Sequence, residues 1–272
     1  MTAINTNVGA LNARLYALKA NSLQEQAMER LSSGQRINSS ADDAAGLAVA
    51  GKMTSQLRGI NMAIRNNQDG VGLIQTAESG INEIQNMVLR IRELAVQMAN
   101  GIYENTPDRD NAQLEVAALQ SQINLIAGYT RFNDVSLLNG SFASVGIQAG
   151  NTTSETIALT ISTMTTTGLS IHAASVSTQS NAKAAITTMD AALQTIASEQ
   201  ATLGSYQNRL QYSIANLSRA SVMTEQALGR IMDADFAKES TDLSKSQILN
   251  QAATAMLAQA NQSKSLMLQL IQ

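Results

Sequence analysis

Cysteine and tryptophan are absent from this chain, and proline occurs once, at Pro107. Without cysteine there is no disulfide framework and no thiol chemistry, a condition compatible with reducing and oxidising compartments alike. Aromatic residues make up 3% of the sequence and charged residues 14%, against roughly 25% charge in ordinary domains. The net charge of -3 supplies no basic surface for nucleic acid or acidic lipid, so neither is expected as a partner. With one histidine, His172, and no cysteine, a conventional His/Cys zinc site and an HExxH protease are excluded. Asp42/Asp43 and Asp233/Asp235 read as helix-start acids rather than paired catalytic carboxylates. No enzyme, metal site or cofactor is expected. The first charged side chain is Arg14, no apolar run has the form of a secretory h-region, and none approaches the ~18 residues of a membrane span. Export of such a chain would need a specialised apparatus.

The 44% hydrophobic content is carried by Ala, Leu, Ile, Val and Met, which suits close helix packing. Ile4, Val8, Leu11, Leu15 and Leu18 recur at coiled-coil spacing, and the stripe then drifts to Leu23, Ala27 and Leu31. The stretch Arg30 to Ala50 breaks that pattern. Gly34, Asn38, Ser39 and Ser40 relax the backbone or compete for its hydrogen bonds, which predicts an extended connector. Ser40 followed three residues later by Asp43 has the form of a capping box, so a helix is expected from about Asp43.

That helix carries Met53, Leu57, Ile60, Ile64, Asn67, Val71 and Ile74, then, after one skip, Ala77, Ile81, Ile84, Val88, Ile91, Ala95 and Met98. It would be roughly 80 Å long at 1.5 Å per residue. Asn100 and Gly101 close it, Thr106, Pro107 and Asp108 open a second helix as cap, first residue and acid, and Gly128 is its natural stop. Ala112, Val116, Leu119, Ile123 and Ile126 form the second seam. Alternation over Val145, Ile147 and Ala149, then Ile157, Leu159 and Ile161, predicts a β-hairpin around Gly150 and Asn151. A second long seam runs from Ile186 through Leu203, Gln207 and Leu210 to Ile231, and the chain ends on Leu249, Ala253, Met256, Ala260, Ser263, Met267 and Leu270. The expected fold is mainly α, with long coiled-coil helices forming a rod and a small β-hairpin region in the centre of the chain.

Before Arg14 there is no charged side chain, and after Lys245 the sole charge is Lys264. Solvated coiled coils normally carry charge on their outer faces. These Asn-, Gln-, Ser- and Ala-rich faces, including Gln251, Gln259 and Gln262, are therefore expected to meet other subunits or a confined aqueous space.

Several blocks resemble the bacterial flagellin family, and they occur in the family's order: RLSSGQRINSSADDAAGLAVA (Arg30 to Ala50), IRELAVQMANG (Ile91 to Gly101), FNDVSLLNG (Phe132 to Gly140), IQAGNTTSETI (Ile147 to Ile157), IMDADFAKE (Ile231 to Glu239) and ILNQAATAMLAQANQ (Ile248 to Gln262). The tail departs from the common pattern at Ser263, Lys264 and Ser265, where a Pro-containing segment is frequent, and at Gln272. The resemblance implies an inner domain of terminal helices, residues 1–42 with 232–272, and an outer rod, residues 43–231, with its β region at about 132–180. It implies a structural subunit that polymerises into the flagellar filament used for motility. A hook-filament junction protein and a soluble coiled-coil adaptor are the alternatives. Leu11, Leu15, Leu249, Met256 and Met267 are the expected polymerisation residues. Arg90, Leu94 and Glu115 resemble positions that contact an innate immune receptor. Besides copies of itself, the implied partners are the flagellar export apparatus, a secretion chaperone, and hook-associated and cap proteins. The implied location is extracellular, in the filament, reached without a cleaved signal peptide; the single proline and missing cysteines suit threading of an unfolded chain.

Overall fold

The computed structural model describes residues 6–269, with the side chains of Thr106 and of 267–269 outside that description. Of the residues named above, Ile4, Leu270 and Gln272 fall outside it. The chain is mainly α, as its periodicity implies. In order it forms α1 (Val8–Ser33), α2 (Ala44–Met98), a π-helical turn (Asn105–Arg109), α3 (Asp110–Tyr129), β1 (Arg131–Phe132), β2 (Val135–Ser136), β3 (Val145–Gln148), β4 (Thr156–Leu159), α4 (Gln179–Met232) and α5 (Phe236–Gln269). Two compact units result: Met1–Leu57 with Val222–Gln272, here the terminal unit, and Arg58–Ser221, the central unit.

The central unit is built on the seams of α2, α3 and α4. Ile74, Ala77, Ile81, Ile84, Val88, Ile91, Ala95 and Met98 of α2 are buried with Val116 and Ile123 of α3 and Met189, Ile196, Leu203 and Leu210 of α4. Fully burying an Ile or Leu side chain stabilises by about 1.5–3 kcal/mol, so these rows are the main cohesive force of the unit. Glycines on the packed surface of α2 serve close approach: a Cβ on Gly80 would lie 2.7 Å from Thr130 Oγ1 and 2.8 Å from Leu138 Cδ1. Their helix-propensity cost of about 1 kcal/mol each is thus offset by packing that no larger residue permits.

The expected hairpin is present as β3 against β4, antiparallel, with Val145 opposite Leu159 and Ile147 opposite Ile157. A second, shorter hairpin pairs Arg131 with Ser136 and Phe132 with Val135. Its turn residues Asn133 and Asp134 have φ of 47° and 63°, the doubly left-handed turn that matches strand twist and that Asn and Asp tolerate. The segment after β4 is held by amide side chains on one face of α3. Gln113 Oε1 accepts from the Val176 backbone N–H at 2.7 Å, Gln120 Nε2 donates to the carbonyls of Ile171 and Ala174, and Asn124 Oδ1 accepts from the Thr166 N–H at 3.0 Å.

Three helix ends differ from expectation. At the start of α2 the cap is Asp43, whose Oδ1 accepts from the Gly46 N–H at 2.8 Å, and not Ser40; Ser40 lies in the turn before it. The opening after Asn100 is a π-helical turn whose N-cap, Glu104, makes no side-chain cap bond, so regular α-helix begins only at Asp110. The cause is Arg109, nearly fully buried, which donates to the carbonyls of Met98, Asn100 and Tyr103 and to Asn105 Oδ1. The Met98 carbonyl is one that the end of α2 leaves without a helical partner, and those of Asn100 and Tyr103 lie in the loop beyond it. Gly128 does not stop α3, which continues to Tyr129 and is closed by Thr130, whose Oγ1 donates to the Ile126 carbonyl.

Candidate polymerisation surface

Within the terminal unit, α1 and α5 run antiparallel. Asn7 accepts from the Ala10 N–H as N-cap of α1, while its Nδ2 donates to the Ala260 carbonyl at 3.1 Å. Asn250 Nδ2 donates to Asn21 Oδ1 midway along. At the far end Arg30 Nη1 bonds Glu239 Oε1 at 3.3 Å. Asp235 Oδ1 caps α5, accepting from Ala237 and Lys238.

The connector between α1 and α2 is fixed to the same helices. Gly34, in the left-handed region at φ 70°, caps α1 and returns its N–H to the Arg30 carbonyl, the conformation glycine adopts most readily. Arg36 and Ala234 then exchange backbone bonds with Met232 and Gly34, and Gln35 bridges Asp233. Asp42 accepts from the backbone N–H and hydroxyl of Ser39 and from Gln26, which together hold its carboxyl below the usual carboxylate range. Thus Asp43 is a helix-start acid, whereas Asp42 closes the connector.

What α1 and α5 bury against each other departs from the expected seam. The buried residues of α1 are Ala13, Ala20 and Ala27, seven apart, and Ala253 is buried on α5. Val8, Leu11, Leu15 and Leu18 form an exposed ridge, with Leu11 52% and Leu15 64% accessible. Leu249 and Met256, also expected in the seam, are exposed, Met256 at 64%. The physical reason is interhelix distance: alanines let two helices approach closely, and the larger residues are then excluded from the contact. An apolar groove of about 720 Å³ follows the pair, with Tyr16 and Leu23 on one wall and Leu249, Met256 and Gln259 on the other. At 3.6 residues per turn the leucine ridge lies about a third of a turn around α1 from the groove. Of the five expected polymerisation residues, Leu11 and Leu15 lie on the ridge, Leu249 and Met256 line the groove, and the side chain of Met267 is outside the described residues.

In the central unit, Arg90 Nε donates to Glu115 Oε1 at 2.8 Å and Nη1 to Glu93 at 3.3 Å, both exposed pairs, and these bonds raise the pKa of the Arg90 guanidinium. Leu94 is 4% accessible and belongs to the core. The structure thus joins Arg90 to Glu115 and does not place Leu94 on their exposed face. His172 is an exposed loop residue.

Residues 4–143 match the bacterial flagellin N-terminal helical region, and residues 186–271 match the bacterial flagellin C-terminal helical region. The chain is 40% identical to the flagellar filament 33 kDa core protein of Treponema phagedenis, over 98% of this chain and 99% of that protein. It is 41% identical to a flagellin of Halalkalibacterium halodurans over the same shares. Among solved structures, Bacillus cereus flagellin superposes with a TM-score of 0.51 at 34% identity, covering 56% of this chain and 88% of that one. A putative flagellar hook-associated protein of Vibrio parahaemolyticus has a TM-score of 0.59, covering 71% of this chain and all of that one, but at 12% identity, which speaks to fold alone. Both end regions match in order, and full-length relatives align along nearly the whole chain, so this protein belongs to the bacterial flagellin family.

Proposed function

We propose that the chain is the structural subunit of an extracellular flagellar filament and polymerises through its terminal unit. The observation that carries this reading is the close pairing of α1 and α5, which buries Ala13, Ala20 and Ala27 on α1 and Glu239, Ser246 and Ala253 on α5 but none of their large apolar side chains among the described residues, with Leu11 and Leu15 on an exposed ridge and Leu249 and Met256 in an open apolar groove. One chain thus carries both a convex and a concave apolar surface, and a second copy is the occupant that supplies the missing partner for each. Lys19 is the single charged residue among those lining the groove, and Val8, Leu11, Leu15 and Leu18 of the ridge carry none, so one flexible ammonium is the ionic group that must stay solvated at the rim when copies meet. Residues 1–42 with 232–272 act as the inner part of the polymer and 43–231 as the outer rod. Export proceeds without a cleaved signal through the flagellar apparatus, aided by a secretion chaperone, with hook-associated and cap proteins bounding the filament. The test is seeding: purified subunit added to short filament fragments should yield long polymers by sedimentation and negative-stain microscopy. A monodisperse monomer or short oligomer after seeding would return the chain to a soluble adaptor.

The exposed Arg90–Glu115 pair supports a second role, recognition of the unassembled subunit by an innate immune receptor. Buried Leu94 would act there by holding α2 in place. Arg90→Ala should weaken receptor signalling; equal signalling by wild type and by a variant with Arg90, Leu94 and Glu115 all changed to Ala would refute it.

A further inference from the structure

Met256 stands apart from the other described methionines. Met98, Met164 and Met189 are buried in the central core, and Met28, Met62 and Met223 are exposed but do not line the groove of the terminal unit. Met256 is both 64% accessible and part of the apolar wall, with Tyr16, Leu23 and Leu249. We propose that Met256 is a modification site at which reversible oxidation by peroxide controls whether a subunit can enter the polymer. This inference rests on the proposed assembly through the groove.

The chemistry is a two-electron oxygen transfer. The thioether sulfur attacks the outer oxygen of hydrogen peroxide, the O–O bond breaks, an S=O bond forms, and the peroxide leaves as water after proton transfer. Sulfur is oxidised and peroxide reduced; a thiol-dependent sulfoxide reductase reverses the step. The product replaces a flexible apolar side chain by a polar one. A leucine side chain entering from a neighbouring copy carries no hydrogen-bond donor, so on assembly the sulfoxide oxygen loses water and gains no partner from the copy that covers it. Such a group weakens an interface by about tenfold or more in dissociation constant. Peroxide reaches Met256 in the free subunit, and the neighbouring copy covers it in the filament, so oxidation selects against unassembled chains.

The experiment treats full-length monomer and seeded filament with hydrogen peroxide, maps sulfoxides by peptide mass spectrometry, and measures the critical concentration for assembly. Expected are oxidation of Met256 in the monomer, protection in the filament, a critical concentration raised about tenfold or more by an unpaired buried oxygen, and recovery after sulfoxide reductase treatment. Met256→Leu, measured against its own untreated critical concentration, should be unmoved by peroxide, and Met256→Gln, a permanently polar replacement, should reproduce the oxidised defect. If the filament protects Met256 but the oxidised subunit and Met256→Gln assemble as wild type, the oxidation proposal is overturned while groove assembly stands. If Met256 is oxidised equally fast in monomer and filament, groove assembly itself fails. A Met256→Leu chain that loses assembly after peroxide as wild type does would assign the effect to another methionine and also overturn the proposal.

Discussion

The terminal and central units bury different things. In the central unit the buried rows set Ile, Leu, Val and Met among alanines such as Ala77 and Ala95, with Phe142 and the fully buried Leu137 and Leu138 from the connecting segment. In the terminal unit the buried hydrophobic residues are Ala13, Ala20, Ala27, Ala50 and Ala253, with Ile37 the one large side chain among the described residues. An alanine methyl contributes about 0.8 kcal/mol on burial, against 1.5–3 kcal/mol for a Leu or Ile, while ordering each residue's backbone costs about 1–2 kcal/mol in either unit. The central unit therefore carries the stability of the single chain. The terminal unit keeps Val8, Leu11, Leu15, Leu18, Leu249 and Met256 on the outside, where only association can bury them.

Deleting Leu249 to Gln272 gives the largest expected break in this comparison. Polymerisation should be abolished while the thermal transition of the central unit, followed by circular dichroism, stays in place; melting of α2 and α4 in the truncated chain would show that the units are not energetically separate. Next in size is a crossed pair of substitutions. Ile84→Ala should lower monomer stability by about 2–5 kcal/mol in denaturant titrations. Leu15→Ala should change it by less than about 0.5 kcal/mol and instead raise the critical concentration for assembly by roughly tenfold. The opposite pattern would mean that the ridge is a core element.

Arg109→Ala tests the interior of the central unit, since it strips donors from three carbonyls and one side-chain oxygen; a loss of about 2–4 kcal/mol is expected. Gln259→Glu, in the groove wall, should leave monomer helicity unchanged but raise the critical concentration at low salt, with partial recovery on adding salt through screening. Assembly at the wild-type concentration would mean that a carboxylate at this position meets no electrostatic penalty in the polymer. The smallest effect concerns Asp42. Its folded-state pKa is depressed by bonds from Ser39 and Gln26, so the stabilisation is complete above the ordinary carboxylate range and is lost as pH falls through the lower, folded-state pKa. Protection factors at the Asn38 and Ser39 amides, corrected for the intrinsic pH dependence of exchange, should therefore fall under acid conditions in the wild type and be low at every pH in Asp42→Asn.

Much of the central unit was legible because its seams consist of residues large enough to dominate a heptad pattern, from Ile60 to Met98 on α2 and from Met189 to Leu210 on α4. The β3–β4 hairpin was legible from its period-two alternation. The short β1–β2 hairpin was missed, although Asn133-Asp134 between Phe132 and Val135 is a turn signal. Arg109 carries no sequence mark at all, since its role depends on carbonyls brought to it by the end of α2. The amides of Gln113, Gln120 and Asn124 share one face of α3 and could have been read as a row with work to do. On the terminal helices the leucine spacing pointed to the wrong contact, because a heptad of alanines is invisible beside a heptad of leucines. Whether Leu11 and Met256 face inward or outward depends on interhelix distance, which local periodicity does not encode.

On the proposed assembly, the terminal helices gain their stability in the polymer and the central helices have theirs in the single chain. Hydrogen exchange read by mass spectrometry on monomer and filament tests it most directly. The prediction is fast exchange of α1 and α5 in the monomer and strong protection in the filament, with residues 74–98, 116–127 and 189–210 protected in both. Equal protection of α1 and α5 in the monomer and the filament would contradict it.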